Sequence, residues 1–222
     1  GEGEHSYYAG VYGLLEANFG ETTYEWTEMP NSCGSNDDYD AVALLQYHCG
    51  VAVDMSYSPN GSGSQTYKTA SALKNYFRYS TSVQYLQKEY YSWTQWTGFI
   101  QDEVDDNCVM IYSGYSSGGG AGHAWNCDGY EIDDATGDEL YHMNLGWGGY
   151  GNAWYSVYLI DDFNTGFQMV RNIIPDENYP EGCTSEVKVI DGMNGTFNDG
   201  SGHHDYENNL DCWFKVEACG GK

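Results

Sequence analysis

The spacing of apolar residues changes near Asn107 from a helical period to a strand period. Before this point, apolar residues recur every three or four positions, as in Ala70, Leu73 and Phe77. After it, the apolar runs are short, aromatic and bounded by Gly or Asp. Helices followed by strands predict an α+β architecture, in which the helices are segregated from an antiparallel sheet.

Three helices are predicted in the first half of the chain. The first is predicted to begin at Asn36 and to end at Gly50, a natural stop signal. The second covers residues 67–77 and the third residues 94–104. Residues 1–35 are rich in Gly, Tyr, Thr and Asn, and we expect loops and short extended pieces there.

Four strands are predicted in the second half. They cover residues 108–112, 123–132, 140–145 and 153–160. The first two are joined by a glycine-rich loop over residues 116–122. Short strands with turn signals between them are typical of an antiparallel meander.

The chain is strongly acidic, with 33 acidic and 8 basic side chains in 222 residues and a net charge of −25. Nucleic acid and anionic membrane surfaces would be repelled, so neither is a predicted partner. No apolar run approaches the roughly 20 residues that span a bilayer, so no membrane span is predicted. No basic-then-apolar leader opens the sequence, and we expect a soluble chain whose export signal, if any, is lost or not included.

The cysteines follow no metal-binding pattern. No CxxC pair or Cys/His spacing is present, so no zinc site and no cofactor are predicted. Cys49, Cys108 and Cys127 lie in apolar segments and are predicted to be buried as small hydrophobic residues. The number of cysteines is odd, so at least one thiol has no intramolecular partner. The cysteines stand at positions 33, 49, 108, 127, 183, 212 and 219.

His123 is the candidate for chemistry. A histidine at the start of a strand is more often a hydrogen-bonded structural residue than a catalyst. However, His123 follows the glycine-rich loop and precedes Asn144 by 21 residues, which places Asn144 on the predicted neighbouring strand. An amide oxygen there could fix the tautomer and ring plane, leaving the other ring nitrogen to exchange a proton with a thiol. This predicts a Cys-His-Asn arrangement in which the cysteine is not evident.

Several ordered motifs resemble one family. Gly-His-Ala-Trp at residues 122–125 and His-Met-Asn-Leu-Gly-Trp-Gly-Gly at residues 142–149 are similar to the C-terminal half of the streptopain family of papain-like bacterial peptidases. The upstream segment at residues 49–57, followed by Ser-Gly-Ser at residues 62–64, resembles the helix-to-loop signature of the same family. The resemblance covers residues 1–174 in order.

The resemblance implies a papain-like fold and hydrolysis of peptide bonds through a cysteine thiolate. His123 would be the general acid and base, and Asn144 would orient it. The substrate would be a protein or peptide, and the enzyme would be a secreted bacterial zymogen with a blocking pro-segment. The residues implied to line the substrate cleft are Ser62, Gly63, Ser64, Tyr115 and Gly122.

The sequence departs from the family pattern at two places. The family nucleophile lies in a Gly-Cys-Val-Ala-Thr-Ala-like segment shortly before the region that matches residue 1, and the sequence has no such segment. We therefore expect that a nucleophile segment and a pro-segment, which this chain does not contain, are its partners, and that the chain alone is inactive. Leu145 stands where the family has Trp, so an indole stacked on the imidazole would be lost. Leu145 and Trp147 are nevertheless expected to support the site.

The C-terminal residues have a different character. Residues 1–174 are predicted to form the peptidase domain, incomplete at its N-terminus, and residues 175–182 a polar linker. Residues 183–222 resemble the opening of a CUB domain, a β-rich module, and the resemblance pairs Cys183 with Cys212. The alternative is a Gly/Asn-rich loop with incidental cysteines.

Three functional hypotheses remain open from the sequence. The first is a fragment of a secreted cysteine endopeptidase. The second is a non-enzymatic peptide- or carbohydrate-binding pseudopeptidase module, which Leu145 favours. The third is a split enzyme whose nucleophile comes from a separate, proteolytically cut fragment.

Overall fold

The structure is a computed structural model that describes residues 1–30, 39–117 and 122–176. Within these residues the chain forms two compact units. The first unit contains residues 1–81 with residues 175 and 176, and the second contains residues 82–174. The predicted linker after Asp176, the CUB-like stretch and the Cys183–Cys212 pair lie outside the described residues, as does Cys33.

The first unit combines a hairpin with two helices. Its elements are β1 (Glu4–Tyr8), β2 (Leu14–Asn18), α1 (Asp40–Ala52) and α2 (Thr66–Tyr76). The strands are antiparallel. Phe19 is fully buried in the core of this unit, and its ring stacks on that of Tyr76 at 4.6 Å between centroids. The second predicted helix is thus found within one residue of its predicted bounds at each end.

Three predictions about α1 are wrong. The helix begins at Asp40 rather than at Asn36, and it does not stop at Gly50 but continues to Ala52. Gly50 instead allows the Tyr57 side chain to lie close to the helix backbone, because a Cβ at this position would lie 1.9 Å from the hydroxyl oxygen of Tyr57. Cys49 is exposed rather than buried, since the last turn of α1 buries the neighbouring residues His48 and Val51.

The second unit is built on a six-stranded sheet with one long helix. Its elements are β3 (Gln84–Gln87), α3 (Trp93–Asp105), β4 (Met110–Ser116), β5 (Gly122–Ile132), β6 (Glu139–Asn144), β7 (Ala153–Tyr155) and β8 (Phe163–Arg171). The strand order is β3-β8-β4-β5-β6-β7, and every pairing is antiparallel. The predicted meander therefore corresponds to β4 through β7, whereas β3 and β8 were not predicted. The predicted strand over residues 153–160 ends at Tyr155.

Helix α3 covers one face of this sheet. It begins at a capping box in which the Ser92 hydroxyl accepts from the backbone N–H of Gln95. Trp96 and Ile100 are fully buried, and the indole N–H of Trp96 donates to the Tyr112 hydroxyl at 2.5 Å. The third predicted helix is thus confirmed, within one residue of its predicted bounds at each end. Within the described part of the chain, no helix combines the length and apolar character needed to cross a membrane.

A buried ion pair fastens α3 to the end of β8. Arg171 Nε donates to Glu103 Oε1 at 2.9 Å, and the backbone N–H of Asn172 donates to Glu103 Oε2 at 2.9 Å. The side chains of Glu103 and Arg171 are only 3% and 14% exposed. Both carboxylate oxygens therefore have donors, which is what a buried charge requires.

Candidate active site

His123 lies at the start of β5, on the face of the sheet that carries the core. Side chains alternate along a strand, so His123, Trp125 and Cys127 share this face. Trp125 and Cys127 are buried, whereas His123 is half-buried. The imidazole therefore lies where the core meets solvent, as a residue that exchanges protons with a substrate needs to.

The Nε2 atom of His123 is held by the protein backbone. It lies 2.8 Å from the carbonyl oxygen of Leu145. A carbonyl can only accept, so Nε2 carries the proton and donates it. In the neutral ring Nδ1 then holds the lone pair. One nitrogen is fixed and the other is available to a thiol, which is the state that acid-base catalysis requires.

The sequence predicted that Asn144 holds the imidazole of His123 directly, but in the structure it does not. It lies opposite Asn126 in the register of β5 and β6, on the face opposite to that of His123. Its Oδ1 instead accepts from the backbone N–H of Gly146 at 3.1 Å. This N–H belongs to the same peptide group as the Leu145 carbonyl. Asn144 and His123 are thus connected through one peptide group.

An indole stacks on the imidazole, contrary to the expectation drawn from Leu145. The rings of His123 and Trp147 are 4.7 Å apart at centroids and inclined by 25°. Phe163 also lies nearly parallel to His123, at 5.6 Å and 29°. The Leu145 side chain is fully buried in the core. Leu145 therefore contributes its carbonyl to the site, and Trp147, two residues later, contributes the aromatic ring.

Asn152 is a residue of this site that sequence reasoning missed. Its Oδ1 accepts from the backbone N–H of Leu145 at 3.0 Å. The available signal was a carboxamide at the end of the glycine-rich run Gly-Trp-Gly-Gly-Tyr-Gly-Asn at residues 146–152. Such a side chain is suited to closing a loop on its own backbone.

Tyr115 and Gly122 are adjacent on neighbouring strands of the second unit. They are paired in the register of β4 and β5. A Cβ at Gly122 would lie 2.6 Å from the Tyr115 ring, and a Cβ at Gly166 would lie 2.8 Å from the same ring. Glycine on both sides therefore allows the Tyr115 ring to lie against the sheet. The ring remains 39% exposed.

Ser62, Gly63 and Ser64 lie in a loop of the first unit. Gly63 exchanges two backbone hydrogen bonds with Ser56, and the Ser64 hydroxyl donates to the carbonyl of Val53. Ser62 also lines a cavity of about 290 Å³. The other residues that line this cavity are Tyr12, Leu15, Tyr47, Tyr57 and Ser58. That this loop shares a substrate cleft with Tyr115 and Gly122 stays a prediction.

Cys127 lies on the same strand as His123 but is unsuited to be the nucleophile. It is fully buried, and burial raises the pKa of its thiol well above the usual range. The reactive form of cysteine is the thiolate, which this environment disfavours. Cys127 is the one predicted buried cysteine that the structure places in a core, since Cys108 is half-buried.

Comparison with known proteins gives consistent matches. The model of the Peptidase C10 family matches residues 1–155. The thiol protease/hemagglutinin PrtT of Porphyromonas gingivalis is 30% identical over 204 residues, which are 84% of this chain and 23% of that protein. Streptopain of Streptococcus pyogenes is 32% identical over 137 residues, which are 60% of this chain and 33% of that protein. The chain thus spans less than two thirds of either relative.

A solved structure matches at the level of fold. The active wild-type interpain A cysteine protease of Prevotella intermedia superimposes with a TM-score of 0.67 and 32% sequence identity. The match covers 78% of this chain and 74% of that chain. The predicted α+β, papain-like fold is thereby confirmed.

Proposed function

Because this chain belongs to the Peptidase C10 family, we propose that it is the histidine-bearing part of a cysteine endopeptidase that hydrolyses peptide bonds in proteins. The observation that carries the proposal is the arrangement around His123. Its Nε2 donates to the Leu145 carbonyl at 2.8 Å, and Nδ1 is left to exchange a proton with a thiol. The matched relatives bear the names thiol protease and cysteine protease.

The proposed reaction proceeds through a thioester. A cysteine from a segment N-terminal to this chain gives its proton to His123 Nδ1, and the resulting thiolate attacks the carbonyl carbon of the scissile bond. The imidazolium of His123 then donates this proton to the leaving amine as the C–N bond breaks. A water molecule attacks the thioester while Nδ1 accepts its proton, and the acid product leaves with regeneration of the thiol.

Trp147 and the Leu145 carbonyl stabilise the charged form of His123 in this scheme. A carbonyl accepts a stronger hydrogen bond from an imidazolium than from a neutral imidazole. The stacked indole presents the negative face of its ring to the cation and covers it from water. Both effects favour the thiolate–imidazolium pair that starts the reaction.

The substrate is proposed to bind as an extended peptide. The residues proposed to line the substrate cleft are Ser62, Gly63, Ser64, Tyr115 and Gly122. Backbone groups at the edge of the cleft can pair with an extended peptide as an added strand would. The aromatic cavity beside Ser62 supports a site that accepts apolar side chains.

The proposed location is outside the bacterial cell. The matched relatives come from bacteria. The family resemblance implies export as a zymogen, and the resemblance of the C-terminal residues to a CUB domain implies a Cys183–Cys212 disulfide.

Peptide mapping with and without reduction would show this disulfide as a linked pair of peptides, and two unlinked thiols in material isolated from outside the cell would contradict it.

The test of the peptidase proposal compares two histidines of one sheet. In a full-length protein that includes a nucleophile segment, His123→Ala should lower the rate of casein hydrolysis by about 10²- to 10⁴-fold, as removal of a general acid-base does. His142 lies on the opposite face of the sheet and pairs with Asp128, so His142→Ala should keep most of the activity. Equal activity of the wild type and the His123→Ala variant would refute the proposal.

The two alternative functions predict different outcomes. A pseudopeptidase would bind peptide without turnover, but the argument for it from Leu145 is weakened because Trp147 supplies an indole. A split enzyme would be shown by mass spectrometry of native material, in which a separate cysteine-bearing fragment would accompany this chain.

A further inference from the structure

We propose that Asn152 is a positioning residue for His123, acting through the backbone of Leu145. This inference rests on the proposed role of His123 as the acid-base of a peptidase. Asn152 does not touch the imidazole. Its Oδ1 accepts from the Leu145 N–H at 3.0 Å, and the carbonyl of the same residue holds His123 Nε2 at 2.8 Å.

Two carboxamide side chains accept hydrogen bonds from the backbone N–H groups on either side of this carbonyl. Asn152 binds the N–H of Leu145, and Asn144 binds the N–H of Gly146 at 3.1 Å. Since the Gly146 N–H and the Leu145 carbonyl belong to one peptide group, the bond to Asn144 polarises the acceptor that holds His123. The bond to Asn152 fixes the preceding peptide group, and with it the direction of the carbonyl.

The loop after Leu145 needs such a restraint. Gly146, Gly148, Gly149 and Gly151 all have positive φ, between 63° and 90°. Glycine has more backbone freedom than any other residue, so this segment has little intrinsic stiffness. The position of the Leu145 carbonyl must therefore be set by contacts outside the glycines, and Asn152 supplies one.

Asn152 is itself held in place. The Tyr155 hydroxyl donates to the carbonyl of Gly151 at 2.6 Å, directly before Asn152. A Cβ at Gly151 would lie 2.9 Å from Leu145 Cδ1, so the returning loop packs tightly on Leu145. The chain Tyr155–Gly151–Asn152–Leu145–His123 is thus contiguous.

The direct test observes the proton on His123 Nε2 by NMR of the full chain with ¹⁵N-labelled histidine. An imidazole N–H is seen as a sharp signal when it is hydrogen-bonded and slow to exchange. The signal, assigned by its loss in His123→Ala, should be present in the wild type and lost in Asn152→Ala. Asn152→Asp keeps an acceptor for the Leu145 N–H and should restore it. A signal retained in Asn152→Ala would overturn the proposal.

Asn18→Ala is the matched control. Asn18 Oδ1 also accepts from a backbone N–H, that of Glu21 at 3.2 Å, but in the first unit. Its removal should leave the His123 signal unchanged. If Asn152→Ala fails to fold, Tyr155→Phe provides a milder variant, which removes only the hydroxyl that anchors Gly151. It should speed exchange of the His123 proton by about tenfold, the effect of one hydrogen bond, and unaltered exchange would contradict the proposal.

The NMR result does not depend on turnover. A wild type that shows the protected proton but hydrolyses no peptide, even with a nucleophile segment present, would refute the proposed function and leave the positioning role intact. In an active full-length enzyme, Asn152→Ala should lower kcat about tenfold with little change in KM, because geometry and not substrate binding is altered.

Discussion

Glu103 shows how one residue joins two elements that are distant in sequence. Its two carboxylate oxygens accept from the Arg171 side chain and from the Asn172 backbone, so α3 and β8 share one buried charge. The guanidinium of Arg171 also lies 4.8 Å from the centroid of the Phe99 ring. Every polar atom of the carboxylate is thus satisfied in the folded state.

Removal of this charge should be costly. Glu103→Gln leaves the Arg171 cation without its partner, and breaking a buried pair typically destabilises a protein by about 3–5 kcal/mol. Urea denaturation followed by tryptophan fluorescence would measure the difference. Asp102→Asn is the matched control, because Asp102 is an exposed neighbour on the same helix and should change stability by less than about 0.5 kcal/mol. Equal effects of the two variants would refute this role of Glu103.

At the residue scale, the sequence predicts chemistry better than contacts. His123 and Trp147 stand in recognisable motifs, and the structure brings their rings together. The indirect part played by Asn144 follows from its place opposite Asn126, which puts it on the other face from His123. The partner of Asn152 was not predicted, because its contact with the Leu145 N–H exists only once the loop over residues 146–151 has closed.

Two glycines within helices illustrate the element scale. Gly50 in α1 lies against the Tyr57 hydroxyl, whereas Gly98 in α3 has open space where a Cβ would be. Helix propensity alone favours alanine over glycine by about 1 kcal/mol at both positions. Only tertiary packing distinguishes them.

Gly98→Ala should therefore stabilise the protein by up to about 1 kcal/mol. Gly50→Ala should destabilise it by about 1–3 kcal/mol, because the added carbon overlaps the Tyr57 oxygen. Thermal melts of both variants would measure the signs. In a Tyr57→Phe background the cost of Gly50→Ala should fall, since the closest atom is gone. A stabilising effect of Gly50→Ala in the wild-type background would contradict the packing described for α1.

Regular elements were predictable where one face alone is apolar. Helices α2 and α3 were predicted nearly to the residue because their inner stripes are regular. Strand β8 was missed because its pairing with β4 shifts register near Tyr115, which interrupts the alternation. Strand β3 is only four residues long and ends in Gln on both sides. The fourth predicted strand was too long because residues 156–159 form a turn.

At the scale of the whole molecule, each unit contains a histidine whose pKa is shifted, and the two shifts have opposite directions. His48 is buried in the first unit beside Tyr24, whose hydroxyl lies 2.9 Å from Nδ1, and burial lowers the pKa of His48. His142 in the second unit lies 2.5 Å from Asp128, and this hydrogen bond, which outweighs the effect of burial, raises the pKa of His142. One histidine therefore resists protonation and the other favours it.

Lowering the pH from 8 to 5.5 should weaken the first unit at His48 and strengthen the second at His142. For His48, with a pKa below its unfolded value of 6.5, stability is lost as the pH falls, because the unfolded chain binds the proton first. The pKa of His142 is raised, so its pair with Asp128 stabilises the fold fully below about pH 6.5, and this stabilisation is lost as the pH rises. We expect the pair to contribute about 0.2–1 kcal/mol to the free energy of unfolding.

Hydrogen exchange measured by mass spectrometry separates these effects, because peptides from residues 39–81 and 122–171 report on different units. His48→Gln should flatten the acid-dependent loss in the first set, and His142→Gln the acid-dependent gain in the second. A shift of both sets in the same direction, unaffected by either variant, would argue against the assignment.

The position of β8 between β3 and β4 determines when the second unit can be completed during synthesis. Leu86 pairs with Met169, and Ile111 with Val170, so contacts that close the sheet join residues made far apart in time. Pairings of this kind are slow to form because a long loop must close first. A nascent chain that has emerged only to Ile160 would carry β4 with an unpaired edge, which is prone to associate with other strands. Emergence of the segment up to Arg171 thus supplies β8, the strand that pairs with both β3 and β4 and completes the six-stranded sheet.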